Sequence, residues 1–290
     1  MLLFDLSGIV VQTCINLHHE SREEVTANVV RHVAMSSLLY YKKRFSKAYG
    51  LPIICVDEKP YWREAIHPHY KKNRKKARES SKIDWEAFSK NFGQVKLDIE
   101  EYTPYPCINV ARAEGDDGIT VLTQYACARK QPVMIVSSDK DMLQLQSKSN
   151  GVKQYSPNRK RLLTPKDAEY DLLTHIIKGD TTDGIPNIFS RDDILVNPNG
   201  DRQRAVTVKM IQGAKDCSDP VTDWSELDDV SRKRFKRNRM LIDAAYIPER
   251  LKERIVASYE HQLSQPKKNK MMECVRKYRL LHLLQSVQDF

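Results

Sequence analysis

The chain has 290 residues, with 48 Lys and Arg against 38 Asp and Glu, for a formal charge of +10. This length supports a real hydrophobic core, and the basic surplus favours a polyanionic partner over the alternative of a basic protein with none. No apolar run approaches the roughly 18 residues of a membrane span, and Met1–Asp5 does not open a signal peptide, so a cytoplasmic protein is predicted.

In chain order, Leu2 to Leu6 reads as a buried strand ending near Asp5, followed by a polar loop. Glu23 to Tyr49 has helical spacing with Gly50 as its stop, and Pro52 to Val56 is a second strand with Asp57 at its end. Tyr61 to Ser81 holds ten basic residues or near neighbours of them and almost no apolar pattern. It reads as a solvated helix or as an element that orders on nucleic acid. Asp84 to Tyr102 is an amphipathic helix. Cys107 to Ala111 is a third strand, with Glu114-Gly115-Asp116-Asp117 opening a helix to about Lys130. Val133 to Ser137 is a fourth strand, followed by Asp139 and Asp141.

From Thr164 the pattern turns helical. Thr164 is the expected cap, and the first helix ends at Gly179. Asn187 to Asp201 reads as a long loop, and helices are expected near Arg202–Lys215, Leu227–Ala245, Glu249–His261 and Met271–Ser286. The six cysteines include no CxxC pair and no Cys/His run of zinc spacing, so they read as small buried residues.

Strand and helix alternate, which predicts a mainly parallel sheet whose ligands bind beyond the carboxyl ends of the strands. Four successive strands there end in carboxylates. Any single Asp is as readily a helix cap, but together they suit hard cations, which take oxygen ligands and can clamp a phosphodiester in pairs. The candidates are Asp5, Asp57, Glu114, Asp116, Asp117, Asp139, Asp141, Asp180 and Asp183.

On these residues the chain resembles the 5′-nuclease superfamily of flap endonucleases, and within it the ribonuclease H branch of T-even phages. The resemblance is carried by Phe4-Asp5, Val56-Asp57 with Trp62-Arg63, Tyr70-Lys71-Lys72-Asn73-Arg74, Glu114-Gly115-Asp116-Asp117, Ser137-Ser138-Asp139-Lys140-Asp141 and Ile177-Lys178-Gly179-Asp180-Thr181-Thr182-Asp183. Each motif alone is weak, but their order and spacing cover nearly the whole chain. The resemblance implies an α/β fold, a mainly parallel twisted sheet flanked by helices (a PIN/5′-nuclease-like core), with a basic arch and a helical C-terminal lobe. It implies a catalytic domain over 1–185 that includes the arch 61–81, and a helical DNA-binding and partner-contact region over 186–290.

The same resemblance implies two Mg2+ ions, with Mn2+ as substitute. Asp5, Asp57, Asp116 and Asp139 would serve the first, with Glu114 close by and Asp117 as a further acid. Asp141, Asp180 and Asp183 would serve the second. Lys71 and Arg74 match the cations aimed at the scissile phosphate. Arg63, Tyr70, Lys72, Lys75, Lys76 and Arg78 complete the nucleic-acid-binding set. Arg63 matches a phosphate or structural contact, and Tyr70 either stacks on a base or packs.

The chain departs from the wider family at Gly115, where Ala is usual, and after Asp183, where no Gly-rich hairpin turn follows, which argues against a potassium site. The implied activity is metal-dependent 5′ to 3′ cleavage, with ribonuclease H activity, that removes RNA primers and 5′ flaps in replication. The implied substrates are RNA–DNA and DNA duplexes with 5′ ends, flaps or forks. The implied partners of this monomer are a single-strand-binding protein and a sliding clamp, in the bacterial host cytoplasm if the chain is phage-encoded. Two further regions have alternative readings. Arg232–Arg239 is a DNA contact or a solvated helix face, and Leu280–Phe290 is a partner dock or a helix packed on its own domain. The competing functions are a PIN-like endoribonuclease and a branched-DNA-binding accessory protein without chemistry.

Overall fold

The computed structural model describes residues 1–21, 25–79, 81, 83–146, 151–197, 200–265 and 267–290. The chain runs β1 (Leu2–Asp5), α1 (Leu6–Ser21), α2 (Ala27–Tyr49), β2 (Pro52–Cys55), a 3-10 turn (Trp62–Ala65), α3 (Arg74–Glu79), α4 (Trp85–Tyr102), β3 (Cys107–Ile108), α5 (Gly115–Ala128) and β4 (Val133–Val136). It continues through a 3-10 segment (Lys140–Leu145), β5 (Val152–Ser156), β6 (Arg161–Leu163), α6 (Ala168–Lys178), α7 (Val208–Lys215), α8 (Pro220–Asp223), α9 (Asp229–Ile242), α10 (Glu249–Ser264), α11 (Met271–Tyr278) and a last 3-10 segment (Leu281–Asp289).

The chain forms two compact units. Residues 1–59, 82–164 and 249–290 make the sheet unit, and residues 60–81 and 165–248 make a helical unit. The basic segment therefore packs with 165–248 rather than with the sheet, and 249–290 packs with the sheet rather than with the helical lobe. Both placements follow from side chains that a charge count overlooks. Tyr61, Trp62, His67 and Tyr70 are buried in the helical unit, where Tyr61 and Tyr70 join Ile176, Ile177, Ile185, Trp224 and Phe235 in one core. Met271, Cys274, Leu283, Val287 and Phe290 are buried in the core of the sheet unit, so the C-terminal stretch is a packed element of its own unit.

The sheet has the order β3-β2-β1-β4-β5-β6. All pairings are parallel except β5 with β6. Short apolar runs buried on both faces are what a parallel sheet with helical crossovers requires. Successive side chains alternate in direction, so Leu2, Phe4, Ile54, Met134 and Val136 meet α1, α2, α4 and α11 on one face. Leu3, Ile53, Cys55 and Ile135 are buried on the other face, which α5 covers. Asp5 lies opposite Cys55, and Phe4 lies opposite both Ile54 and Val136, so the carboxyl ends of β1, β2 and β4 share one edge. The strand order reverses between β1 and β4, and the crevice at such a point is where open α/β sheets bind ligands.

Several local expectations change. The polar loop after Asp5 is α1, whose buried Leu6, Ile9, Val10 and Cys14 have helical spacing. The start expected at Glu23 lies outside the described residues, and α2 begins at Ala27 with Thr26 as cap. The helix expected from Thr164 is capped by Asp167 instead, whose side chain accepts from the Tyr170 N–H. The helix expected from Arg202 begins at Val208. The one expected to end at Ser286 breaks after Tyr278, where Arg279 takes a left-handed φ of 54°. The β5–β6 hairpin was not foreseen, because its strands carry Lys153, Gln154 and Arg161 among few apolar residues.

One buried polar network ties α2, α4 and α11 together. Arg31 Nε donates to Asp98 Oδ2 at 2.7 Å, and the Tyr278 hydroxyl donates to Asp98 Oδ1 at 2.8 Å. The Arg31 guanidinium lies 3.5 Å from the centroid of the Tyr278 ring. Removing one member of a buried ion pair strands the other charge. Asp98→Ala is expected to destabilise the sheet unit by about 3–5 kcal/mol in urea unfolding; a loss below about 1 kcal/mol would contradict this account.

Candidate active site

The sequence-predicted acids of the first set all lie in the sheet unit, at or just beyond the carboxyl ends of its strands. Asp5 closes β1. Its Oδ1 accepts the Gly8 N–H at 2.8 Å in the first turn of α1, and its Oδ2 accepts the Ser137 hydroxyl at 2.7 Å. A side chain at Gly8 would put its Cβ 2.4 Å from Asp5 Oδ2, so glycine there leaves room for the carboxylate. Asp57 lies two residues past β2, and its Oδ1 accepts the Gly115 N–H at 2.8 Å at the start of α5. A Cβ on Gly115 would lie 3.3 Å from the Cys55 carbonyl, so the glycine lets this helix start approach β2 closely. Asp5 and Asp57 thus each accept an N–H at the start of a helix.

Glu114 and Asp117 are buried at the same helix start, where Asp117 Oδ2 accepts the Glu114 N–H at 2.9 Å. Asp117 is fully buried, and its carboxylate caps the Glu114 N–H at the start of this helix. Asp116, between them, is half-buried in the first turn of α5. Asp139 follows β4 and is exposed. Its Oδ1 accepts the Asp141 N–H at 2.9 Å, and its own N–H donates to Ser137 Oγ at 3.1 Å.

The charges converge on one thiol. Burial first, then the fields of Asp5, Asp116, Cys107 and Asp57, push Cys55 well above the ordinary thiol range. Cys55 therefore stays protonated, and the available donors are carboxylate oxygens. This set fits a hard cation such as Mg2+ and not a thiolate-bound metal.

Three residues of this unit were missed in the sequence. Ser137 donates to Asp5 and accepts from the Asp139 N–H, so one hydroxyl bridges the ends of β1 and β4. Gln154 of β5, itself buried, donates from Nε2 to the carbonyls of Ser137 at 2.9 Å and Asp139 at 2.6 Å, fixing the loop that carries Asp139. Lys96 of α4 donates to the Asp57 carbonyl at 3.2 Å. Of these only Ser137 lies inside a motif that carries the resemblance, and nothing local marks a glutamine on a neighbouring strand.

The second set divides between the units. Asp141 belongs to the sheet unit, while Asp180 and Asp183 belong to the helical unit. Asp180 Oδ1 accepts the N–H groups of Thr182 at 2.7 Å and Asp183 at 3.1 Å, and its Oδ2 lies 3.2 Å from His175 Nε2. Burial pushes the Asp180 carboxyl up, but the His175 hydrogen bond and charge, with the two N–H groups, outweigh it and hold it below the ordinary range.

In the helical unit Asp183 is engaged by Lys71 at 3.5 Å, by Arg74, and by the Tyr70 hydroxyl at 3.0 Å. Tyr70 is buried, so of its two expected roles the structure supports packing and not base stacking. Arg63 donates from Nε to the Leu241 carbonyl at 2.9 Å and lies over the Trp62 ring, which is the structural of its two expected roles. Lys72, Lys75 and Arg78 are exposed, whereas the Lys76 side chain lies outside the described residues. In the run Arg232–Arg239, Arg234 and Arg237 pair with Asp192, and Arg232 donates to the Val221 and Leu227 carbonyls. Part of that basic run is therefore structural.

Ser137→Ala is expected to weaken Mn2+ binding by about 10–100-fold, because groups behind the ligands tune affinity on that scale. A Mn2+ titration followed by water-proton relaxation, with circular dichroism to confirm folding, checks this; an unchanged affinity would remove Ser137 from the site.

Comparisons with known proteins show the family and the fold. Residues 1–172 match a family model described as 5′-3′ exonuclease, N-terminal resolvase-like domain. Residues 166–290 match one described as T4 RNase H, C terminal. The chain is 31% identical over 294 residues to the ribonuclease H of Enterobacteria phage T4, spanning 99% of this chain and 95% of that protein. Among solved structures it resembles the T5 5′-exonuclease with zinc bound, with a TM-score of 0.65 at 16% identity, covering 91% of this chain and 98% of the other. It also resembles a phage T5 flap endonuclease in complex with DNA and metal ions, with a TM-score of 0.64 at 15% identity, covering 91% and 99%. At such identities these structures show a shared fold.

Proposed function

The chain belongs to the 5′-3′ exonuclease family, with a T4 RNase H type C-terminal region, and from that premise we propose that it is a metal-dependent 5′ nuclease that removes RNA primers and 5′ flaps in DNA replication. The observation that carries the reading is the carboxylate edge of the sheet. Asp5, Asp57, Glu114, Asp116 and Asp139 come from four separate strand ends and helix starts, and hydrogen bonds fix Asp5, Asp57 and Asp139 there. A structural core has no use for so many acids at one sheet edge, whereas a pair of hard cations does.

When bound, Mg2+ or Mn2+ would supply Lewis acidity toward the phosphodiester and a nucleophile from water at neutral pH. Asp5, Asp57, Asp116 and Asp139, with Glu114, would hold the first ion. By resemblance Asp141, Asp180 and Asp183 are the second set. Ser137 and Gln154 keep Asp5 and Asp139 in register, so little reorganisation is needed when substrate arrives. Lys71 and Arg74 offset negative charge on the scissile phosphate, and Arg63 and Tyr70 hold their segment in place.

The exposed Lys72, Lys75 and Arg78 give a sequence-independent attraction for the phosphate backbone. That a T5 relative was solved with DNA supports duplexes with 5′ ends, flaps or forks as the substrates here. The replication role brings with it a single-strand-binding protein and a sliding clamp as partners, acting in the host cytoplasm. Among the described residues no helix is long and apolar enough to cross a membrane.

A time course on a 5′-labelled flap over a nicked duplex is expected to give short 5′-labelled products with Mg2+ and none with chelator. Asp139→Asn is expected to slow cleavage by about a thousandfold or more while keeping DNA affinity, because it removes a ligand and a repulsive charge together. Cleavage that survives chelation, or an Asp139→Asn protein of normal rate, would overturn the reading. Cleavage of single-stranded RNA alone would favour a PIN-like endoribonuclease.

A further inference from the structure

Asp183 closes the Gly179–Asp183 motif and is the acid that the resemblance hands to the second ion. Its carboxylate lies among cations. Its Oδ2 accepts the Tyr70 hydroxyl at 3.0 Å and lies 3.5 Å from Lys71 Nζ, while its Oδ1 accepts from the Arg74 guanidinium. The Asp183 and Lys71 side chains are 19% and 17% exposed, so these charges are largely withdrawn from water. Asp180, three residues earlier, meets His175 and backbone N–H groups instead.

The backbone fixes the same pairing. Lys71 takes a left-handed φ of 57°, and its N–H donates to the Asp183 carbonyl at 2.7 Å. Asn73 donates to the Thr181 carbonyl, Arg74 Nε to the Thr182 carbonyl at 3.2 Å, and His67 Nε2 to the Gly184 carbonyl at 3.0 Å. Gly184, at φ 72°, has room only for hydrogen: a Cβ there would come within 2.9 Å of the His69 carbonyl and Asn73 Oδ1. The turn 67–74 is thus stitched to 181–184 along its length.

One carboxylate cannot serve both purposes well. An ion bound at Asp183 would sit about 2 Å from the carboxylate oxygen, beside an ammonium and a guanidinium that would have lost their counter-charge. We propose that Asp183 is a positioning residue, which holds Lys71 and Arg74 in their working geometry through the Tyr70–Lys71–Arg74 cluster and contributes little to metal affinity. A carboxylate presents to these donors the same anionic oxygens as a phosphodiester. Asp183 therefore keeps the two cations folded inward until a substrate phosphate shares them. The proposal rests on the nuclease reading above for its catalytic consequence, but its structural consequence does not need catalysis.

The test compares wild type, Asp183→Asn, Tyr70→Phe, Lys71→Ala/Arg74→Ala and the combined triple variant. Limited trypsin digestion without DNA, read by mass at Lys71, Lys72 and Arg74, is expected to run about tenfold faster in Asp183→Asn, because the local opening that exposes these bonds becomes more frequent. Tyr70→Phe, which removes no possible metal ligand, is expected to shift the same cuts in the same direction by a smaller factor. Mn2+ affinity is expected to stay within about twofold of wild type in Asp183→Asn. On the labelled flap, Asp183→Asn is expected to lower kcat about as much as Lys71→Ala/Arg74→Ala does, and to add nothing in that background, as residues acting in series do. Unchanged trypsin cleavage with Mn2+ affinity down tenfold would overturn the proposal in favour of a metal ligand. A full multiplicative loss in the triple variant would overturn it equally. If wild type cleaves no flap, the nuclease reading fails, and the trypsin and Mn2+ measurements still decide the role of Asp183.

Discussion

Mutual repulsion among carboxylates crowded at one edge of the sheet is the constraint on which the rest of the site depends. Five acids drawn from β1, β2, α5 and the segment after β4 lie there, and their like charges repel one another. The chain answers with fixed dipoles. The first turn of α1 gives the Gly8 N–H to Asp5, the first turn of α5 gives the Gly115 N–H to Asp57, and the Ser137 hydroxyl turns toward Asp5. Both glycines sit where a larger residue would crowd a carboxylate or the β2 backbone. These dipoles orient the carboxylates without cancelling their charge.

The helical unit solves the opposite problem, an excess of cations. Asp183 gathers Lys71 and Arg74, and Asp192 gathers Arg234 and Arg237, so four bases are held by two acids. Asn238 of α9 is fully buried and donates to the carbonyls of Ile176 and Pro186, at the end of α6 and just past Gly184. It pins the backbone on both sides of the Asp180–Asp183 turn.

The acids of the site were legible in the sequence because a parallel strand is a short apolar run and its carboxyl end is where the next polar residue falls. Asp5, Asp57 and Asp139 could be placed from that rule alone. Their partners could not, since Ser137 and Gln154 act across strands that pair only in three dimensions. The first helix was missed because Ser7, Gly8, Gln12 and Thr13 mask the spacing of Leu6, Ile9, Val10 and Cys14. The basic segment was misjudged for a related reason. Its charges dominate the composition, while Tyr61, Trp62, His67 and Tyr70, few and irregularly spaced, decide where it packs. Asp117 shows what motif reading leaves out, because its place in an acidic run does not reveal that its carboxylate caps the Glu114 N–H.

The most direct test of the account is a pair of melting curves of wild type and Asp116→Asn, with chelator and with Mg2+. If repulsion governs the site, Asp116→Asn melts at or above wild type in chelator. With Mg2+ the order reverses, because wild type gains the stabilisation that a ligand bound only to the folded state confers and the variant loses most of it. The same order of melting temperatures under both conditions, or an equal gain from Mg2+ in both proteins, would show that these acids are not a metal-dependent cluster and would contradict the account.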